Sequence, residues 1–218
     1  MHIAVCRFPN SPKSILYPRC MLSSDEIKFY LNLFSQFSLF DLKDLFSISR
    51  IVKLPANAIY IDNGSNTKKL GYITEGLIRA FAIKENGDDV TFILRWEKQF
   101  IASHDTIIRK QPSKFIYQAI EDTVLFEFDY EQAEILLDKN PRLSNFRNMV
   151  NFEIIAEALD RAESLVLLSP EERYLQLVRE KPNIINRVPG KYIATFLGIT
   201  PVSLSRIRKR IATPGKRN

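Results

Sequence analysis

Between residues 51 and 128 the chain is cut into short runs of β-branched and aromatic residues, at 51–54, 59–61, 72–74, 77–83, 90–94, 115–120 and 124–128. Turn-forming groups separate most of them: Pro55-Ala56-Asn57, Asp62-Asn63-Gly64-Ser65, Glu75-Gly76 and Glu85-Asn86-Gly87-Asp88. Short strands at such spacing predict a compact antiparallel sandwich or barrel. Asn86-Gly87 marks a hairpin, because both residues accept positive φ. Apolar runs such as 165–168 fall far short of the roughly 20 residues that span a bilayer. A hydrophobic fraction of 45% and a charged fraction of 26% are those of a globular protein and exclude disordered and collagen-like classes. The N-terminal stretch holds Arg7, Pro9, Pro12 and Pro18 and lacks the apolar core of a secretory signal, so a cytoplasmic location is expected.

Helical patterning flanks this region. Residues 23–37 predict a helix capped by Ser23 and Ser24, with Asp25 and Glu26 at its positive end and Ile27, Tyr30, Leu31 and Phe34 along one side. A further helix is expected at 131–138. In 142–168, Met149, Phe152, Ala156, Leu159 and Val166 recur with Glu163 in the one polar slot, a coiled-coil-like seam of about three heptads. One side of that helix can pair with a second subunit while another covers the β region; the alternative is a helix packed wholly within one subunit. Ser169-Pro170-Glu171-Glu172 then opens another helix with a capping box, and Tyr174, Leu175 and Val178 form its buried side. The expected domains are an arm at 1–21, a β domain at 22–140, the long helix at 141–168 and a C-terminal domain at 169–218. Cys6 and Cys20 lie on the arm, too few for a disulfide framework, and Met21 is an alternative start.

Residues 190–209 fit a helix-turn-helix. That motif needs a small residue where its helices cross, a residue tolerating positive φ in the turn, and apolar residues at fixed offsets. With Gly190 as the first position, the fourth is Ile193, the fifth Ala194, the eighth Leu197, the ninth Gly198, the tenth Ile199, the fifteenth Leu204 and the eighteenth Ile207. Thr200-Pro201 caps and begins the second helix. Burying Leu204 and Ile207 turns Thr200, Val202, Ser203, Ser205, Arg206 and Lys209 outward. Arg206 is the candidate for bidentate contact with guanine, while Thr200, Ser203, Lys191 and Lys209 suit phosphates.

Charge agrees with that placement. Residues 181–218 hold nine Lys and Arg and no Asp or Glu, a charge of +9 that leaves −3 for the first 180 residues against the chain total of +6. A basic end on a mildly acidic body is expected where one module meets phosphates.

On these strings the chain resembles the Crp/Fnr superfamily over residues 22–212. It is most similar to a Bacteroidetes-type branch reading Ser169-Pro170-Glu171-Glu172-Arg173-Tyr174, then Val188-Pro189-Gly190-Lys191-Tyr192-Ile193-Ala194, then Leu197-Gly198-Ile199-Thr200-Pro201-Val202-Ser203-Leu204-Ser205-Arg206-Ile207-Arg208. The resemblance implies an α+β protein: an N-terminal double-stranded β-helix (a jelly-roll-like β-roll sensor), a long dimerisation helix and a C-terminal winged helix-turn-helix domain. It further implies a homodimeric transcription regulator that binds double-stranded DNA, meets RNA polymerase if it activates, and takes a small-molecule effector if the sensor has one. Cyclic-nucleotide members hold the ribose with Gly-Glu and the phosphate with Arg-Ser/Thr-Ala; the corresponding residues here are Ala102-Ser103 and Ser113-Lys114-Phe115. The Glu and the Arg are missing, so cyclic AMP and GMP are not expected as ligands and no cofactor is predicted. Phe115 is expected to fill the vacated pocket. Pro201 and Val202 replace polar residues of the family's second helix, so the operator does not carry over; Val202 suits a thymine methyl.

Enzyme classes fit poorly. A cupin-type metal centre needs several imidazoles, and the chain has only His2 and His104. The alternative function is a regulatory or protein-interaction subunit whose basic C-terminus binds a partner other than specific DNA.

Overall fold

The computed structural model describes residues 38–212. The predicted helix 23–37, the arm with His2, Cys6 and Cys20, and the alternative start at Met21 lie outside the described residues, as do Lys216 and Arg217.

The described chain opens with helix α1 (Leu39–Ser47), which the sequence patterning did not single out. Eight strands follow: β1 (Ser49–Leu54), β2 (Ile59–Ile61), β3 (Lys69–Glu75), β4 (Ile78–Ile83), β5 (Asp89–Arg95), β6 (Phe100–Ala102), β7 (Ile116–Ala119) and β8 (Thr123–Asp129), with the short helix α2 (His104–Ile107) after β6. Each of the predicted runs becomes a strand. β6 has no counterpart among them, because Phe100-Ile101-Ala102 is short and no turn-forming group of the kind that brackets the other runs sets it off.

The strands form two four-stranded antiparallel sheets, ordered β1-β8-β3-β6 and β2-β7-β4-β5. Between them lie Ile73, Ile101 and Leu125 from the first sheet and Tyr60, Ile61, Ile78, Ala80 and Tyr117 from the second. Full burial of such aliphatic side chains stabilises the sandwich by about 1.5–3 kcal/mol each. The expected β4–β5 hairpin is present, from Ile78↔Arg95 to Ile83↔Asp89. Asn86 stays out of the positive-φ region and closes the turn with its side chain instead, Oδ1 accepting from the Asp88 amide at 3.1 Å. The register slips between Ala80 and Phe81, so Ile93 and Thr91 are paired across and Phe92 becomes the extra residue of a bulge.

Helices complete the chain: α3 (Tyr130–Lys139), α4 (Pro141–Leu167), α5 (Pro170–Glu180), α6 (Pro182–Arg187), α7 (Gly190–Phe196) and α8 (Pro201–Ala212). Asp129 caps α3, accepting from Gln132 N at 2.9 Å. Asn140 caps α4 and Pro141 occupies its first turn, where the missing N–H costs nothing. The capping box of α5 forms on both sides: Ser169 Oγ accepts from Glu172 N, and Glu172 accepts from Ser169 N at 2.8 Å.

Two expectations are modified. The resemblance implies a wing, but among the described residues no strand occurs in 170–212. Pro182 forces Lys181 out of helical conformation (φ −137°, ψ 58°), ends α5, and restarts the chain as α6, which buries Ile184. The long helix, expected to lay one side on the β region, touches it sparingly: Phe146 meets Phe100 edge-on, and Arg95 pairs with Glu157 at 2.6 Å. Every residue from 151 to 160 is exposed, including Phe152 at 72% and Leu159 at 65%.

Gly76 sits where the chain turns from β3 to β4, with φ +95°. An added Cβ would lie 2.4 Å from Thr123 Oγ1 and 2.6 Å from the Asp122 carbonyl oxygen. Gly76→Ala therefore adds steric overlap to a backbone strain of about 1–3 kcal/mol, and the urea unfolding midpoint is expected to fall accordingly.

Candidate functional site

The apolar pattern of 190–209 is realised as a packed helix pair. Ile193, Ala194, Leu197, Leu204 and Ile207 are all buried, and Ala194 has no exposed surface at the crossing of α7 and α8. Gly198 takes φ +72°, a conformation that lets the Gly198 amide reach Thr195 O at 3.0 Å while the Ile199 amide reaches Ala194 O. Thr200 caps α8, accepting from Ser203 N at 3.1 Å.

This packing sorts the candidate residues. Val202, Ser205, Arg206 and Lys209 lie together on the exposed face of α8. Arg206 and Lys209 carry no ion pair among the described residues, whereas Arg208 is turned to the Tyr174 hydroxyl and Arg210 pairs with Glu171. Thr200 and Ser203 are less free than the sequence suggests: their hydroxyls bond each other at 2.9 Å as part of the cap, and Ser203 is half-buried. Lys191 is exposed at the start of α7, its ammonium 4.9 Å from the Tyr192 ring centre.

The helix pair is anchored by contacts absent from the local pattern. Leu77 and Leu94 belong to the β-roll yet are buried in one cluster with Tyr174, Ile184, Val188 and Ile193, and Trp96 and Ile120 pack against it. At the rim Arg187 donates to Glu97 and to Glu121. Glu97 also accepts from the Gly76 amide at 2.9 Å. Burial raises the Glu97 carboxyl, but the hydrogen bonds from Arg187 and the backbone outweigh it and leave the pKa below the ordinary carboxylate value. Arg79, nearly buried, forks onto Asp89 and lies between the Phe81 and Tyr192 rings at 3.7 and 3.6 Å. No periodicity points to Glu97 and Glu121 as partners of Arg187 or to Tyr192 as a partner of Arg79, which are far apart in sequence.

Residues 103–115, which include the positions compared above with the cyclic-nucleotide cassette, hold buried polar groups bonded to one another. Ser103 is buried and caps α2, and its hydroxyl donates to Ser113 Oγ at 3.1 Å, which in turn donates to Phe115 O at 2.8 Å. Asp105 is fully buried; its Oδ2 accepts from Lys114 N at 3.0 Å, and its Oδ1 faces His104 Nε2 at 3.5 Å and Arg109 at 3.6 Å. The Lys114 side chain is exposed. Phe115 is half-buried and stacks on the bulged Phe92 with ring centres 4.8 Å apart. Behind them the buried Tyr117 hydroxyl is pushed up to about 12 by its burial.

No family model matches the sequence, and no curated protein does. Solved structures do match in fold. The c-di-GMP responsive global regulator CLP of Xanthomonas campestris superposes with a TM-score of 0.65 at 14% identity, covering 83% of this chain and 96% of that one. FixK2 of Bradyrhizobium japonicum gives 0.66 at 13% identity over 78% and 90% of the two chains. A protein from Eubacterium rectale described as a transcriptional regulator of the Crp/Fnr family gives 0.67 at 15% identity over 87% and 91%. The chain thus has the fold of the Crp/Fnr transcriptional regulators.

Proposed function

We propose that the protein is a DNA-binding transcription regulator acting as a homodimer. The observation that carries this reading is the α8 face: Arg206 and Lys209 are exposed, with no ion pair among the described residues, beside Val202 and Ser205, on a helix anchored by its buried side. A helix so presented enters a major groove, with Arg206 toward base edges and Lys191 and Lys209 toward phosphates. Two copies joined along the apolar stripe of α4 would set their α8 helices in successive grooves about 34–36 Å apart. Met149, Phe152, Leu159 and Val166 are exposed along that stripe in the single chain, and an apolar seam of this length is the kind of surface a second subunit covers.

The sensor reading follows from Asp105. A fully buried carboxylate stands in the segment corresponding to the phosphate cassette, with the serine hydroxyls bonded internally, so an anionic ligand meets like charge and few open donors. Cyclic AMP and GMP are therefore not its ligands, and any effector is of another kind. Among the described residues no cluster of His, Cys, Asp and Glu suits a metal ion, and no helix is long and apolar enough to cross a membrane. The regulator works without catalysis, in the cytoplasm, and meets RNA polymerase if it activates.

Arg206→Ala is expected to weaken binding to selected duplex sites by about 1–3 kcal/mol and to relax preference at one base pair per half-site. Equal loss on all sequences would count against base contact. Phe152→Asp, a change at a side chain 72% exposed, should leave the fold intact and convert dimers to monomers in sedimentation velocity. Isothermal calorimetry with cyclic AMP is expected to show no binding; micromolar affinity would overturn the sensor reading.

A further inference from the structure

One charged residue interrupts the apolar stripe of α4. Leu159, Glu163 and Val166 follow one another at one-turn spacing, and all three are exposed in the single chain. An α-helix turns by about 100° per residue, so Arg161 and Leu165, two residues to either side, lie roughly 200° around the helix from Glu163. Both face their own subunit: Arg161 donates to Phe196 O at 2.9 Å, and a Cβ added at Gly198 would lie 3.6 Å from Leu165 Cδ2. Glu163 therefore points the other way, in line with the exposed Phe152, Ala156 and Leu159.

A carboxylate taken out of water needs a cation beside it. The cations of α4 are engaged within their own subunit: Arg142 faces Asp41 at 4.0 Å, Arg147 pairs with Glu134 and Asp138 at 3.2 and 2.8 Å, and Arg161 is turned to Phe196. Arg173 of α5, which meets the end of α4, bonds the carbonyls of Leu168 and Leu197 at 2.6 and 3.1 Å. The charge one turn before Glu163 is a second carboxylate, Asp160, and neither of the two has an ion pair among the described residues.

We propose that Glu163 links dimerisation to protons. This rests on the homodimeric reading above. Two copies that set both α8 helices on one face of a duplex carry their α4 helices in parallel, and in a parallel pair a seam residue meets its own copy. The two Glu163 carboxylates then oppose each other between the Leu159 and Val166 layers, where like charge and loss of water both act against ionisation. Two carboxylates sharing such a site do not both stay ionised, so closing the seam draws a proton onto the pair. The dimer thus binds more protons than two separate chains, and association strengthens as pH falls and weakens as pH rises. Acidification raises the dimer population, and with it the occupancy of duplexes carrying two half-sites, with no ligand needed in the β-roll.

The test measures the dimer dissociation constant by sedimentation equilibrium for full-length wild type, Glu163→Gln and Phe152→Asp at about pH 7.5, 6.5 and 5.5. Wild type is expected to tighten on acidification by up to about tenfold per pH unit, the limit for one proton taken up per dimer. Glu163→Gln keeps the shape without the charge, so it should associate at least about tenfold more tightly than wild type at the highest pH and lose most of the pH dependence. Direct opposition has its own readout: Glu163→Lys mixed with mass-labelled wild type should give heterodimers above the statistical share in native mass spectrometry. Equal pH slopes in wild type and Glu163→Gln overturn the proposal, as do weaker association of Glu163→Gln and a statistical mixture with Glu163→Lys; each leaves the dimer reading standing. A wild type as monomeric as Phe152→Asp at every pH removes the dimer reading itself, and the proton linkage with it.

Discussion

Two leucines from the β-roll, Leu77 and Leu94, are buried among helical residues of the C-terminal part, and the arrangement of the described chain depends on that shared core. A sandwich closed on itself and a helix pair packed on itself would each be complete without the other, free to turn on a linker. Sharing a core removes that freedom, because separating the two exposes apolar surface on both. Gly76 has its place here. The tight turn it permits delivers Leu77 to the helical cluster and Ile78 to the sandwich on consecutive residues.

The polar groups of residues 103–115 are bonded mainly to one another. Ser103, Ser113 and the Lys114 amide, which stand where a phosphate cradle is expected, are occupied by one another and by Asp105. Buried polar groups need partners, and here the chain supplies them itself. The bulge at Phe92 extends this closure by placing a ring against Phe115. Phe115 packs on the sandwich core and on that stack.

What was legible in the sequence was whatever has a period or a fixed offset. The strands announced themselves by alternating β-branched residues between turns, and the helix-turn-helix by the spacing of Ala194, Gly198, Leu204 and Ile207. β6 was missed because it is short and no turn-forming group sets it off, and α1 because it is too irregular to display a period. The wing is implied by the resemblance alone, and among the described residues no strand occurs in 170–212. Thr200 caps α8 as its place before Pro201 predicts and stays exposed, whereas Ser203, expected to face outward, is half-buried with its hydroxyl bonded to that cap. The contacts of Arg187 with Glu97 and Glu121 and of Arg79 with Tyr192 are invisible for a simpler reason: each joins residues whose separation along the chain carries no pattern.

The rim of the shared core has a consequence for how ionic strength would be interpreted. Arg187, Glu97 and Glu121 are each about one-third exposed, so dissolved ions reach and screen them. The apolar contacts beneath respond in the opposite sense to strongly hydrated salts such as sulfate. For a DNA-binding protein, the fall of affinity with salt is commonly converted into a number of phosphates contacted. If the chain binds DNA as proposed, the same ions also act on the contact beneath the helix pair, so a slope measured in chloride and one measured in sulfate would differ, and neither would count phosphates alone.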